Sequence, residues 1–254
     1  MLQTPNNRTA LVTGASAGFG AAIARILAAN GWRVVIAGRR IERLRDLAES
    51  TDGNLYPLPF DIRTRTAVNQ ALATIPEEFL PIEVLVNNAG LALGLEPSQR
   101  ASLDDWEIMI DTNIRGLTYL THALLPSMVE SGRGHIINLG SVAADNPYLG
   151  SNVYGATKAF VRQFTRNLRA DLLGTGVRVT EIAPGLAETE FSIIRFKGDR
   201  KQAANVYRGL EPLHPADIAH TVIWAIEQPP HVNINLIELM PTAQAWGPLE
   251  VCRT

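Results

Sequence analysis

The chain has 254 residues, 46% hydrophobic and 19% charged, which excludes a mainly disordered protein and leaves room for one large core. Lys plus Arg total 23 against 25 Asp plus Glu, a net charge of −2, so no positive surplus gathers phosphate backbones and a nucleic-acid binder is not expected. A single cysteine, Cys252, excludes an internal disulfide or a Cys-rich zinc site, and the five histidines lack HExxH-type spacing, so no metal site is expected.

Taken in chain order, short β-branched apolar runs fall at 10–13, 34–37, 84–86, 136–139, 177–180 and 234–237. Stretches with helical spacing separate them at 18–29, 41–49, 64–73, 103–128, 153–173 and 215–227. Residues 55–61, although interrupted by Pro57 and Pro59, supply a further strand after the second one. Strands alternating with helices need crossover connections, and right-handed crossovers put helices on both faces of a parallel sheet. The expectation is therefore an α/β chain, one doubly wound Rossmann-type domain over 1–254 with a seven-stranded parallel sheet. An irregular stretch at 186–214 stands where such folds carry a substrate lid. No apolar run approaches the roughly 18 residues needed to cross a bilayer, and the start at 1–8 is polar, so a cytoplasmic protein without membrane contact is expected.

The first strand runs into Thr13-Gly14-Ala15-Ser16-Ala17-Gly18-Phe19-Gly20 and then a helix. Glycines let a backbone approach a pyrophosphate, and a helix N-terminus offers unpaired N–H groups. At the end of the second strand, where an acidic residue would bond the ribose of NAD, Arg39 and Arg40 stand instead. A guanidinium pairs with a 2′-phosphate that a carboxylate would repel, so NADP(H) is the expected cofactor. The same arginines also suit the exposed first turn of a helix. Asp61, ending the third strand, suits either an adenine contact or a helix cap. Tyr154 and Lys158, four residues apart at a helix start, share one face about 6 Å apart, and an ammonium there favours the phenolate. Ser141, just past the strand at 136–139, offers a hydroxyl to a substrate oxygen.

These motifs, with Asn87-Asn88-Ala89-Gly90, Asn113 and Pro184-Gly185, stand in an order and spacing that resembles the classical short-chain dehydrogenases/reductases along essentially the whole chain. The resemblance implies that Gly14, Ser16, Phe19 and Gly20 lie against cofactor phosphates, and Asn87, Ala89 and Gly90 near the adenosine ribose and central sheet. It implies that Tyr154 exchanges the proton, Lys158 bonds the nicotinamide ribose, Ser141 holds the reacting oxygen and Asn113 positions a relay water. Pro184, Gly185, Leu186 and Thr189 would line the nicotinamide.

Residues 87–94, 134–138, 152–168, 195–199 and 231–235 further resemble one subgroup, the NADP-dependent 3-hydroxy acid (serine and allo-threonine) dehydrogenases, which also reduce malonic semialdehyde. Their substrates carry a carboxylate, for which Arg195 and Lys197 are the candidate partners. The chain departs from that subgroup at Ala183, which replaces a glutamate, and in a loop shortened by one residue that carries Glu188. An inward-pointing Glu188 would disfavour a carboxylate substrate. A homotetramer joined through the helices at 103–128 and 153–173 is the family expectation. A reductase of another carbonyl (ketone, sugar or 3-oxoacyl thioester) is the alternative reading, and a catalytically silent NADP-binding sensor or scaffold is a third.

Overall fold

The computed structural model describes residues 8–51, 54–247 and 251–253; the polar stretch at 1–7 lies outside them. Seven parallel strands form one sheet in the order β3-β2-β1-β4-β5-β6-β7. They are β1 (Thr9–Thr13), β2 (Arg33–Gly38), β3 (Leu55–Pro59), β4 (Ile82–Asn87), β5 (Gly134–Leu139), β6 (Val177–Pro184) and β7 (Leu236–Leu239). Every residue of β1, β4, β5 and β6 is buried, as continuous apolar strands covered on both faces must be. Side chains alternate between two cores. Ala10 and Val12 of β1 meet Ile23 and Leu27 of α1 (Gly18–Ala29) on one face, while Leu11 faces Leu120 and Leu168 on the other. Burying each such leucine or isoleucine contributes about 1.5–3 kcal/mol.

The two prolines of β3 fit because that strand is the sheet edge. Phe60 donates its N–H to Gly38, so alternation turns positions 57 and 59, which lack a donor, away from β2. At the other edge the strand expected at 234–237 is displaced to β7. The Asn233 carboxamide bonds both the N–H and the carbonyl of Val179, at 2.8 and 2.9 Å, and so takes the pairing that a strand backbone would have made.

Two further elements differ from the sequence reading. The helix expected at 103–128 is broken into α4 (Leu103–Ile110) and α5 (Leu117–Glu130) by a π-turn at Asp111–Gly116. The stretch at 186–214 is not irregular: it contains α7 (Glu190–Arg195) and α8 (Arg200–Tyr207). The remaining helices are α2 (Ile41–Glu49), α3 (Arg65–Leu72), α6 (Asn152–Asp171) and α9 (Pro215–Ile226). Strand order reverses between β1 and β4, which opens a crevice at the carboxyl ends of the strands, the usual ligand position in this topology.

Candidate active site

A single cavity of about 660 Å³ runs along that crevice, from Arg39 and Arg40 past Gly14 to Tyr154, Lys158 and the 184–195 loop. Its floor is built on the end of β1. Gly14 sits at φ +65°, and a Cβ on Gly20 would lie 2.5 Å from the Gly14 carbonyl, so both positions exclude a side chain. Thr13 ties the turn to β4: its hydroxyl accepts the N–H groups of Asn88 and Ala89 at 3.0 and 2.9 Å. The Asn88 side chain donates to the Thr13 carbonyl at 2.7 Å. The first turn of α1 carries no side-chain cap, which leaves N–H groups for an anion.

At the far end of this floor Arg40 donates twice to the Ser16 hydroxyl, at 3.0 and 2.9 Å. Glu190, the first residue of α7, bridges Arg40 and Arg43 at 2.9 and 2.6 Å. Burial pushes the Glu190 carboxyl up, but hydrogen bonds from the two arginines outweigh that and hold it below its ordinary value. Arg39 lines the cavity without a hydrogen bond or salt bridge to any described residue. Asp61 lines it too. Its carboxylate accepts the Arg63 backbone N–H and is paired with the Arg63 guanidinium, which lowers its pKa.

At the opposite end, Ser141 follows β5, and Tyr154 and Lys158 rise from the first turns of α6. The Ser141 hydroxyl accepts the Ala143 N–H at 3.1 Å and lines the cavity together with Tyr154. Lys158 Nζ donates to the Leu139 carbonyl at 2.7 Å and lies 6.0 Å from the Tyr154 ring centre. Burial dominates both groups. It pushes the phenol up to about 12, with Tyr148 adding to the rise and Ser141 and Arg195 opposing it. It brings the lysine down to about 8 against the pull of Glu181. The sequence reading had the ammonium tuning the phenol downward; in the folded chain desolvation of the phenolate is the larger effect.

The loop above carries Arg195, whose guanidinium lies 5.5 Å from the Tyr154 ring centre and 5.3 Å from that of Tyr148. It donates to the Tyr148 hydroxyl at 2.7 Å and to the Gly94 carbonyl at 3.3 Å, closing the cavity over the phenol. Pro184, Gly185, Leu186 and Thr189 line the cavity wall below it, and Phe19, Ala89 and Gly90 line the floor.

Three residues from the sequence reading stand outside the cavity, and the side chain of a fourth, Asn113, is engaged beneath it. Lys197 takes a left-handed backbone, φ 52°, and pairs with Asp105 at 2.8 Å rather than entering the cavity. The Asn87 side chain points into the sheet interior, bonded to Thr121 and Asn138, and its neighbour Asn88 lines the cavity instead. Asn113 has its side chain committed to Leu91, accepting its N–H and donating to its carbonyl, and to Thr157, so its carboxamide braces the floor. Glu188 is exposed and outside the cavity wall, which removes the repulsion an inward carboxylate would have caused. Sequence reasoning missed Tyr148, whose loop position carries no periodic signal, and the brace of Thr13 and Asn88, which lay inside the quoted motifs.

A glycine-floored crevice at the switch point of a parallel sheet, ending in a Ser–Tyr–Lys cluster, is the architecture of a dinucleotide-dependent oxidoreductase. Residues 8–198 match the family model described as short chain dehydrogenase, and the chain belongs to that family. It is 55% identical over 245 residues to an NADP-dependent 3-hydroxy acid dehydrogenase, YdfG, of Salmonella typhi, covering 96% of this chain and 99% of that protein. It is 49% identical over 245 residues to serine 3-dehydrogenase of Agrobacterium fabrum, covering 96% of this chain and 98% of that protein. A solved closed form of serine dehydrogenase complexed with NADP+ superposes with a TM-score of 0.93 at 53% identity, covering 97% of this chain and 100% of that one.

Proposed function

We propose that this chain is an NADP-dependent oxidoreductase that interconverts a small 3-hydroxy acid and its semialdehyde or keto form. The observation that carries the reading is the convergence of Ser141, Tyr154 and the buried Lys158 on one end of the cavity, with the Arg195 cation over the phenol. Relatives of near full length named for NADP and 3-hydroxy acids or serine support it. The residues present fit a dinucleotide: the Gly14–Gly20 floor has no room for a Cβ, and Ser16, Arg39 and Arg40 together suit a phosphate on the adenosine ribose. Lys158 would hold the ribose hydroxyls nearer the reacting end, and Thr189 and the 184–186 backbone would flank the carboxamide.

NADP(H), when bound, supplies or accepts the hydride; the chain supplies orientation and a proton. Ser141 holds the carbonyl oxygen. Tyr154, protonated at neutral pH because burial raises its pKa, donates its proton to that oxygen during reduction and takes it back during oxidation. Arg195 pairs with the substrate carboxylate and fixes which end of a short hydroxy acid meets the phenol.

Arg195→Met is expected to raise KM for a 3-hydroxy acid about ten- to a hundredfold while leaving its methyl ester unaffected, since only the acid makes a charge-assisted bond there. Equal losses for acid and ester, measured by steady-state kinetics, would remove Arg195 from substrate recognition.

No helix among the described residues is long and apolar enough to cross a membrane. The cytoplasm is the compartment this reading implies. A homotetramer is part of the proposal. Exposed Leu103 and Val129 on α4 and α5 support it as apolar surface on helices expected to pair, and the half-buried, stacked Phe160–Phe164 pair lies on α6. Light scattering is expected to give four times the chain mass; a monomer in solution would refute the assembly.

A further inference from the structure

Beneath the catalytic end lies an ion pair that the mechanism above does not use. Glu181 on β6 and Arg162 on α6 have side chains only 2% and 4% exposed, and the Arg162 Nε lies 2.8 Å from one Glu181 carboxylate oxygen and 3.0 Å from the other. Arg162 also pairs with Asp145, which follows the Ser141 turn, and comes within 3.9 Å of Glu238 on β7.

The Glu181 carboxylate packs directly on Gly140: a Cβ at that position would lie 2.0 Å from its Oε1. Gly140 stands between the two residues that present the site. Leu139 gives its carbonyl to Lys158, and Ser141 lines the cavity with Tyr154. The Gly140 N–H is bonded in turn to Ile182, next to Glu181, at 2.8 Å. Stability is a weak reason for burying such a pair, because apolar side chains of similar volume serve a core equally well.

We propose that Glu181, held in place by Arg162, is a positioning residue that seats the 139–141 turn and, through the Leu139 carbonyl, sets the surroundings of the buried Lys158 ammonium. The inference deepens the proposed function and rests on it for its catalytic meaning. The charges facing this cluster agree with it. From β6 comes Glu181, from β7 Glu238, and from the turn after β5 Asp145, so three carboxylates face Arg162 of α6. Tyr154 lies on the same helix as Lys158, its ring centre 6.0 Å from Nζ, and Arg195 of α7 lies over Tyr154. Burial lowers the Lys158 pKa and Glu181 is the group that opposes it. Without that carboxylate the lysine would lose its proton at a lower pH and its donor strength with it.

The chain has only three lysines, Lys158, Lys197 and Lys201, so carbon-13 labelling of lysine gives three resolvable NMR titrations in the intact protein without cofactor or substrate. In the native chain Lys158 is expected to titrate well below the other two. In Glu181→Gln its midpoint should fall by about one pH unit or more while Lys197 and Lys201 stay put, and Glu181→Asp, which keeps the charge, should restore most of the difference. Where Glu181→Gln does not fold because Arg162 is left unpaired, the double variant Glu181→Gln/Arg162→Met removes both charges; loss of the cation offsets part of the loss of the carboxylate, so a smaller fall in the same direction is expected. A Lys158 midpoint that does not move in a folded variant overturns the proposal. Because this reading needs no turnover, it separates from a failure of the proposed substrate: native protein inactive on hydroxy acids would refute the function and leave the lysine titration standing.

Discussion

Tyr154→Phe is expected to lower kcat by about 10² to 10⁴-fold in both directions, the usual worth of a positioned general acid or base, with NADP(H) affinity nearly unchanged. The ring should keep its place, since its edge-on contact with Phe191, 5.6 Å between centres, involves no hydroxyl. The sign of the pH dependence follows from the burial that pushes this phenol up to about 12. Reduction needs the protonated form, which is fully populated across neutral pH, so that rate should be level there. Oxidation needs the proton to leave, so its rate should climb steadily from neutral into alkaline pH. Steady-state rates in both directions, with cofactor binding followed by fluorescence, check both statements. Undiminished turnover in the phenylalanine variant would exclude Tyr154 as the proton donor.

The second large effect concerns the cofactor. Arg39→Asp is expected to weaken NADP binding about a hundredfold or more and NAD binding only slightly, because it deletes a charge-assisted partner of the 2′-phosphate and adds a repelling carboxylate. Arg39 is the arginine to change. Its neighbour Arg40 is already committed to Ser16 and Glu190, and Arg43 to Glu190, whereas Arg39 faces the cavity without a hydrogen bond or salt bridge to a described residue. The nearby Asp61 is neutralised by Arg63, so the new aspartate would meet the phosphate without competition from it. Binding titrations with the two dinucleotides test this directly, and equal losses for NADP and NAD would show that Arg39 does not read the phosphate.

Much of the fold was legible because apolar period separates strand from helix: α1 and α2 stand at the expected 18–29 and 41–49, β1 to β5 lie within two residues of their expected runs, and β6 starts where expected but runs four residues further. The errors have local causes. A side-chain amide imitates a peptide at Asn233 and delays β7, which apolar pattern cannot reveal. The helix α8 escaped notice because it buries only Ala203 and so shows no apolar stripe.

Within the site, legibility followed sequence locality. Tyr154 and Lys158 share a helix face by spacing alone, and the glycine turn stands next to its strand and helix. Asn87 and Asn88 could not be told apart by motif, although strand alternation allows only one of two neighbours to face the cavity. Lys197 could not be separated from Arg195 without knowing that the backbone turns left-handed between them and Gly198. Nothing in its spacing singles out Arg162; only the crossing of α6 over β6 makes it the partner of Glu181. The competition between burial and charge at Tyr154 likewise depends on what covers the phenol, namely the 190–195 helix and Tyr148.

The most direct test of the account is turnover by the native protein, following nicotinamide absorbance with NADPH and malonic semialdehyde in one direction, and with NADP and serine or 3-hydroxybutyrate in the other. The account predicts saturable, reversible turnover of these short acids with NADP(H) strongly preferred over NAD(H). Failure on every small 3-hydroxy or 3-oxo acid, alongside brisk reduction of neutral ketones, sugars or acyl thioesters, would contradict it.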